Sequence, residues 1–482
     1  MTPGHFIPML DMAKLLAQQG VVVSLVAPPV IASRYAPILD RAIGSGLAIQ
    51  LLELRFPSVE AGLPEGCETL DAIPSIGLMK NYLGAIDMLQ QPFEELFQDL
   101  KPWPSCIIAD KNLVWAAETA KRFQIPRVIF DGMSCFTLLT SHYLHASKVH
   151  EDLPETEHFV VPGLPDRIEL IKAQLPGSFN PVSYEIGNFH RRVREAEEEA
   201  YGMVVNSFEE LEPRYVEGLR KVKGYRVWCI GPLSLGNKDI LDKAQRGNKP
   251  SVDENRCLEW LDAHEPGSVV YACLGSVSRL TPPQLIELGS GLEASNRPFI
   301  WVVRAGTRGG EFEKWIKEDG FEKRTKGRGL IIRGWAPQVL ILSHRAIGAF
   351  LTHCGWNSTL EGVCAGLPMV TWPLFAEQFL NEKLVLQVLG TGVGVGARVV
   401  VHLFEEERFG VLVKREAVKE AVKKVMDEGI EGEDRRNKAR MLGEMAKRAI
   451  EEGGSSSLNM TLLVQDIMKQ LSDKGTTQKR RT

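Results

Sequence analysis

The stretch from Ile347 to Glu361 holds the residues best spaced for chemistry. An apolar run predicts a strand ending at Thr352, then a tight His353-Cys354-Gly355 turn and a helix that begins near Asn357. A helix that starts at the carboxyl end of a parallel strand offers unpaired N–H groups and the positive end of its dipole, which suit a phosphate. Gly355 lets the backbone come close, and His353, Asn357 and Ser358 add side-chain donors. A plainer reading has Ser358 and Glu361 form an S-x-x-E capping box of the kind that opens many helices. The spacing alone leaves both readings open.

A turn of this kind needs a parallel sheet to hold it, and the chain carries the rhythm of one. Met9, Met12, Ala13 and Leu16 recur at helical spacing up to Gly20, and a strand over 21–27 follows. Apolar runs at 47–54, 106–109, 127–130, 203–206 and 227–230, separated by helical stretches, predict a first α/β half. Residues 236–253 are polar and turn-rich, as a linker is. Strands at 268–273, 299–303, 330–333, 347–351 and 368–371 then restart the pattern, with Thr281-Pro282 opening a helix and a charged loop around 304–328. The predicted organisation is α/β throughout: a first domain over 1–235, the linker 236–253, a second domain over 254–452, a helix over 453–471 and a basic, disordered tail over 472–482. Ligands of such sheets bind outside the carboxyl ends of the strands, here expected to face a cleft between the halves.

Composition excludes several classes. A chain of 482 residues, 44% hydrophobic and 24% charged, has the make-up of globular domains. A net charge of −4 and a pI near 6.3 argue against a nucleic-acid partner. No apolar run reaches the ~18 to 20 residues that span a bilayer, and MTPGHFIPMLDM lacks the parts of a signal peptide. A cytoplasmic monomer is the expectation. The eight cysteines form no CxxC pairs, and no pair of carboxylates is spaced as a metal site, so reduced thiols and no metal are expected. His142 and His145 could share a helix face but have no third ligand nearby in sequence. The glycines of GTGVGVG, 390–396, depart from GxGxxG and read as a turn that precedes a strand.

The ungapped run from Trp335 to Gln378 resembles the signature box of plant secondary-product UDP-glycosyltransferases. GHFIPMLDMAKLL, VVNSFEELEP, IGPLSL, CLEWLD and PGSVVYACLGS resemble further landmarks of that family, across almost the whole chain. The resemblance implies a GT-B fold: two Rossmann-like parallel-sheet domains, the acceptor in the first, the nucleotide sugar in the second, and a C-terminal helix crossing back. It implies that Trp335 stacks on uracil, with Ala336 among the same contacts, that Gln338 lies on the ribose side, and that Glu361 holds the ribose hydroxyls. His353, Asn357 and Ser358 would hold the pyrophosphate, joined by Ser276 from the LGS turn, while Trp356, Glu377 and Gln378 would meet the sugar. A tryptophan face suits a flat base, a carboxylate accepts two vicinal hydroxyl protons, and helix-end donors stabilise a departing diphosphate. In the family, glutamine at the last position accompanies glucose, and a tryptophan at the Trp356 position disfavours glucuronic acid, so UDP-glucose is the expected co-substrate, with no other cofactor.

The same resemblance implies the catalytic pair. His5, in GHFIP just ahead of the first helix, matches the family's general base, and Asp110, closing SCIIAD, matches the carboxylate that orients it. Asp110 also reads as a helix cap for Asn112 onward. The implied acceptor is a small apolar plant metabolite such as a flavonoid, terpenoid or apocarotenoid, taken through a hydroxyl or carboxyl and bordered by 61–84 and 136–159. One departure stands out: the family's apolar strand ahead of GHxxP has no counterpart before His5. The first sheet is therefore expected to lack its first, central strand, leaving the neighbouring strands with unpaired backbone groups. Either the sequence is shortened at its start or the first domain is rearranged, and a UDP-sugar binder without transfer activity is the alternative to an enzyme.

Overall fold

β-Branched and aromatic residues dominate the strands VVYAC, FIWVV and RVIFD, which suit a pleated sheet buried on both faces. The computed structural model describes residues 3–181, 183–237, 239–244, 246, 251, 254–304 and 309–479. Its strands are β1 (Val23–Ala27), β2 (Ile49–Glu53), β3 (Ile107–Asp110), β4 (Arg127–Asp131), β5 (His158–Val160), β6 (Glu169–Ile171), β7 (Gly202–Val205), β8 (Arg226–Cys229), β9 (Val269–Cys273), β10 (Phe299–Val303), β11 (Gly329–Arg333), β12 (Ile347–Thr352), β13 (Met369–Thr371) and β14 (Gly392–Gly394). All pair in parallel except the β5–β6 hairpin.

Two units divide the chain. The first takes 1–135, 181–236 and 448–482, and the second takes 136–180 and 237–447. Segment 136–180, expected in the first half, belongs to the second unit because its bonds lie there. Thr137 Oγ1 donates to Asn381 Oδ1 at 3.0 Å, and the Val400 amide donates to the Ala173 carbonyl at 2.9 Å.

In the first unit the sheet is interrupted. β1 and β2 pair only with each other, and β3, β4, β7 and β8 form a separate four-stranded sheet in that order. Among the described residues no strand joins β1 to β3, although Val23 and Ile108 pack on one apolar cluster with Phe130, Val204 and Trp228. The first helix, Pro3–Gln18, places Phe6, Ile7 and Leu10 in the core beside β1. It already contains His5, which the sequence reading places ahead of it. The last helix, Ser455–Lys479, returns to this unit and inserts Met460, Leu463 and Ile467, one face at helical spacing, against Trp228. Asp466 pairs with Arg226 at 2.6 Å. The helix carries on through 472–479, where a disordered tail is expected; no proline interrupts it, and Gly475 weakens a helix by only about 1 kcal/mol.

The second unit is a six-stranded sheet in the order β11-β10-β9-β12-β13-β14. Counted from β9 this is 3-2-1-4-5-6, the doubly wound order, with the direction of winding reversing between β9 and β12. Its core centres on Trp301, which is 1% exposed and meets Phe312 edge-on at 5.5 Å; a buried side chain of this size contributes about 1.5–3 kcal/mol. Thr281 caps the helix Pro282–Ala294 as expected, its hydroxyl accepting from the Gln284 amide. Two readings change. The stretch expected as a charged loop holds the helices Gly309–Glu318 and Phe321–Arg324, while residues 305–308 lie outside the described ones. The glycine run 390–396 contains β14 itself, because glycine at 392 lets the strand pass where a Cβ would sit 2.6 Å from Val385 Cγ1. No helix among the described residues is long and apolar enough to cross a membrane.

β12 shifts register between Ile347 and Ala349, beside Gly348. A Cβ there would lie 2.0 Å from the Gly267 carbonyl oxygen, a backbone atom that cannot turn aside. Gly348→Ala is expected to cost about 1–3 kcal/mol, read as a lowered denaturant midpoint of the second unit; an unchanged midpoint contradicts this packing.

Candidate functional site

In the second unit the groups of interest come from loops at the carboxyl ends of β9, β11, β12 and β13, which parallel pairing places along one edge of the sheet. The reversal between β9 and β12 leaves two adjacent loops running apart, which opens space for a ligand. Ser276 and Gly275 follow β9, and His353 follows β12. The imidazole of His353 is clamped between two glycines: a Cβ on Gly275 would lie 2.5 Å from its Nε2, and one on Gly355 would lie 2.4 Å away. Gly275 also has φ +84°, a backbone that L side chains rarely adopt. His353 Nδ1 is buried without a hydrogen-bond partner among the described residues. Burial pushes its pKa down to about 4, so the ring is neutral at working pH and offers a dipolar N–H.

The helix after β12 runs Trp356–Cys364 with Gly355 as its N-cap residue. Ser358 is therefore its third residue, and the capping-box reading is excluded. Ser358 Oγ instead accepts from Gln338 Nε2 at 3.1 Å, and the same amide donates to Glu361 Oε2 at 2.7 Å. Gln338 is held in turn by the Tyr271 hydroxyl at 3.4 Å. Trp335 and Ala336 lie just ahead of Gln338, between β11 and the helix Gln338–Leu342. The structure thus joins Gln338, Ser358 and Glu361 in one network, with Trp335 half-buried next to it.

The sugar-binding candidates are divided. Trp356, in the first turn of its helix, is 2% exposed. Gln378 Oε1 accepts two backbone amides, from Leu374 at 2.9 Å and Phe375 at 3.1 Å, which leaves its N–H groups for another partner. Glu377 precedes the helix Gln378–Lys383, and its Oε1 accepts from Asn381 Nδ2 at 3.4 Å. Asn381 also donates to the Cys354 carbonyl at 2.9 Å, tying this helix to the turn that carries His353.

In the first unit, His5 Nδ1 and Asp110 Oδ2 lie 2.6 Å apart. Asp110 is 1% exposed at its side chain and His5 30%, so the carboxylate is buried and the ring reaches the surface. The helix-cap reading fails, because the next helix, Ala116–Arg122, begins after Trp115; Asp110 Oδ1 instead accepts from the Asn112 amide at 2.9 Å and closes a turn. Burial disfavours the charged form of His5, but the charge and hydrogen bond of Asp110 outweigh it and raise its pKa above the ordinary value. Burial likewise opposes ionisation of Asp110, and His5 and the Asn112 amide reverse that, so its pKa is lowered. An ionised Asp110 can only accept, which places the proton on His5 Nδ1 and leaves Nε2 as the basic nitrogen. Sequence reasoning missed the neighbouring pair, Lys111 and Asp131, joined at 3.0 Å. Both stand at carboxyl ends of strands, which was the available signal. It also missed Arg246, which pairs with Glu361, and nothing in the linker composition points to it.

The comparisons decide the family. A family model described as UDP-glucoronosyl and UDP-glucosyl transferase matches residues 237–428. UDP-glycosyltransferase 73E1 of Stevia rebaudiana is 52% identical over 472 residues, covering 97% of this chain and 94% of that protein. UDP-glycosyltransferase 73C12 of Barbarea vulgaris is 50% identical over 474 residues, covering 97% and 95%. This chain belongs to the UDP-glycosyltransferases. The crystal structure of Glycyrrhiza uralensis UGT73P12 with glycyrrhetinic acid 3-O-monoglucuronide matches with TM-score 0.92 at 34% identity, over 100% of this chain and 96% of that one. Arabidopsis thaliana UGT89C1 with UDP-L-rhamnose matches at TM-score 0.74 and 29% identity, over 96% of each chain. The transferase therefore has the mixed α/β, parallel-sheet GT-B fold of plant members of its family.

The two candidate histidines of this glycosyltransferase, His5 and His353, should titrate far apart. NMR of the ring protons is expected to show His353 neutral down to about pH 4 and His5 protonating above the ordinary ~6.5. A His353 signal that titrates near neutrality contradicts its burial.

Proposed function

We propose that the enzyme transfers glucose from UDP-glucose to a hydroxyl of a small apolar plant metabolite, a flavonoid or terpenoid, or to the carboxyl of an apocarotenoid, with inversion at the anomeric carbon. The observation that carries the catalytic part is the short bond between His5 and a buried Asp110. His5 Nε2 takes the proton from the acceptor hydroxyl as its oxygen attacks the anomeric carbon, and the bond to the UDP oxygen breaks on the opposite side. Asp110 holds the ring in the required tautomer and stabilises the imidazolium that forms.

The donor reading rests on the β9/β12 switch point. His353, Asn357 and Ser358, with the N–H groups opening the helix Trp356–Cys364, would face the diphosphate, joined by Ser276. These donors stabilise the charge that develops on the leaving UDP, so the reading calls for no metal. Trp335 would stack on uracil beside Ala336, with Gln338 and Glu361 on the ribose. Trp356, Glu377 and Gln378 would meet the sugar. Because the carbonyl of Gln378 is occupied, its amide can only donate, which fits a neutral hydroxyl oxygen of glucose.

A donor panel with flavonol, terpenoid and apocarotenoid acceptors should give glucosides fastest from UDP-glucose, at a rate indifferent to EDTA. Faster turnover with UDP-galactose, UDP-glucuronate or UDP-rhamnose overturns the choice of sugar.

The base must be neutral to act, so kcat/KM should rise with pH through the raised pKa of His5. Asp110→Asn removes the charge that raises it. The acid limb should then move to lower pH while kcat falls by about 10² to 10⁴. An unmoved acid limb assigns the base to another residue.

A further inference from the structure

Glu361 is buried, and a buried carboxylate must be paired. Gln338 serves its Oε2, while Oε1 accepts from the guanidinium of Arg246, with the two side chains 8% and 7% exposed for Arg246 and Glu361. Gln338 is fixed from behind by Tyr271 and Ser358. Arg246 comes from a bend outside any helix or strand. The described residues on either side in sequence are held to the same unit. The helix Ile240–Ala244 lies against the helix Gln338–Leu342. Ser251 exchanges two hydrogen bonds with Trp335: its amide donates to the Trp335 carbonyl at 2.8 Å, and its hydroxyl accepts from the Trp335 amide at 2.9 Å.

We propose that Arg246 competes with the donor nucleotide for Glu361, and so sets the affinity for UDP-sugars without taking part in transfer. This rests on the reading that Glu361 holds the ribose. A vicinal diol must donate to this carboxylate, and the guanidinium already occupies the oxygen that Gln338 leaves open. Donor entry therefore exchanges an ion pair for bonds from uncharged hydroxyls, a cost that scales apparent affinity by the fraction of molecules in which Glu361 is free. Removing the guanidinium leaves Glu361 with Gln338 alone and eager for donors.

Calorimetry with UDP and steady-state kinetics with UDP-glucose test this on the full chain. Arg246→Ala and Arg246→Gln should lower the Kd for UDP by about three- to ten-fold, the effect of losing one charge-assisted bond from the free state after its partial replacement. KM for UDP-glucose should fall in step, with kcat and the acceptor KM nearly unchanged, and Arg246→Lys should restore much of the original Kd. Weaker UDP binding in the Ala and Gln variants would make Arg246 a ligand of the nucleotide and overturn the proposal. An unchanged Kd would overturn it too, since the pair then imposes no cost. The ribose reading is checked separately by Glu361→Ala placed in the Arg246→Ala background. That change should weaken UDP binding, and if it does not, Glu361 is not the ribose ligand and both ideas fall.

Discussion

Parallel pairing is the constraint from which the rest of this structure follows. Strands that all run one way must each be followed by a return connection, so every strand delivers its loop to the same edge of the sheet. In the second unit this collects Ser276, Trp335, His353 and Gln378, which are spread over about a hundred residues of sequence, onto one rim. Reversal of the winding between β9 and β12 then separates two neighbouring loops and leaves room between them. The glycines at 275 and 355 are needed because the imidazole of His353 fills the space their side chains would take.

Buried charge is organised by the same economy in both units. Each buried carboxylate of interest has both oxygens engaged: Asp110 by His5 and the Asn112 amide, Glu361 by Arg246 and Gln338. The two pairs differ in exposure. Asp110 is out of water while its partner reaches the surface. In the other pair both members are buried. Burial disfavours the charged form of both histidines, and their pKa values move apart because Asp110 outweighs burial at His5 while burial acts alone on His353.

The first unit shows what a parallel sheet does when one pairing is not made. Among the described residues β1 and β3 each pair on one side only, yet both contribute to a shared apolar cluster, and the returning C-terminal helix seals that cluster over Trp228. Packing, which is not directional, holds elements together where the hydrogen-bond ladder does not. His5 sits in the first turn of a helix whose apolar face is anchored in this unit, so its position depends on that packing.

The sequence by itself determined the strand-helix alternation and the family, and it singled out the candidate residues of both sites, because these are written in local periodicity and in ungapped motifs. It placed the strands well, since runs such as FIWVV suit little else. It erred where glycine or charge masked a local preference: β14 inside a glycine run, two helices in a stretch read as loop, and a helix continuing into the basic tail. Only the tertiary structure excluded a capping box of Ser358 and Glu361, because a cap is defined by where the helix begins and not by spacing. It alone joined Arg246 to Glu361 and assigned 136–180 to the second unit. Contacts between residues far apart in sequence are set by the packing of whole elements, and no local pattern of letters carries that information.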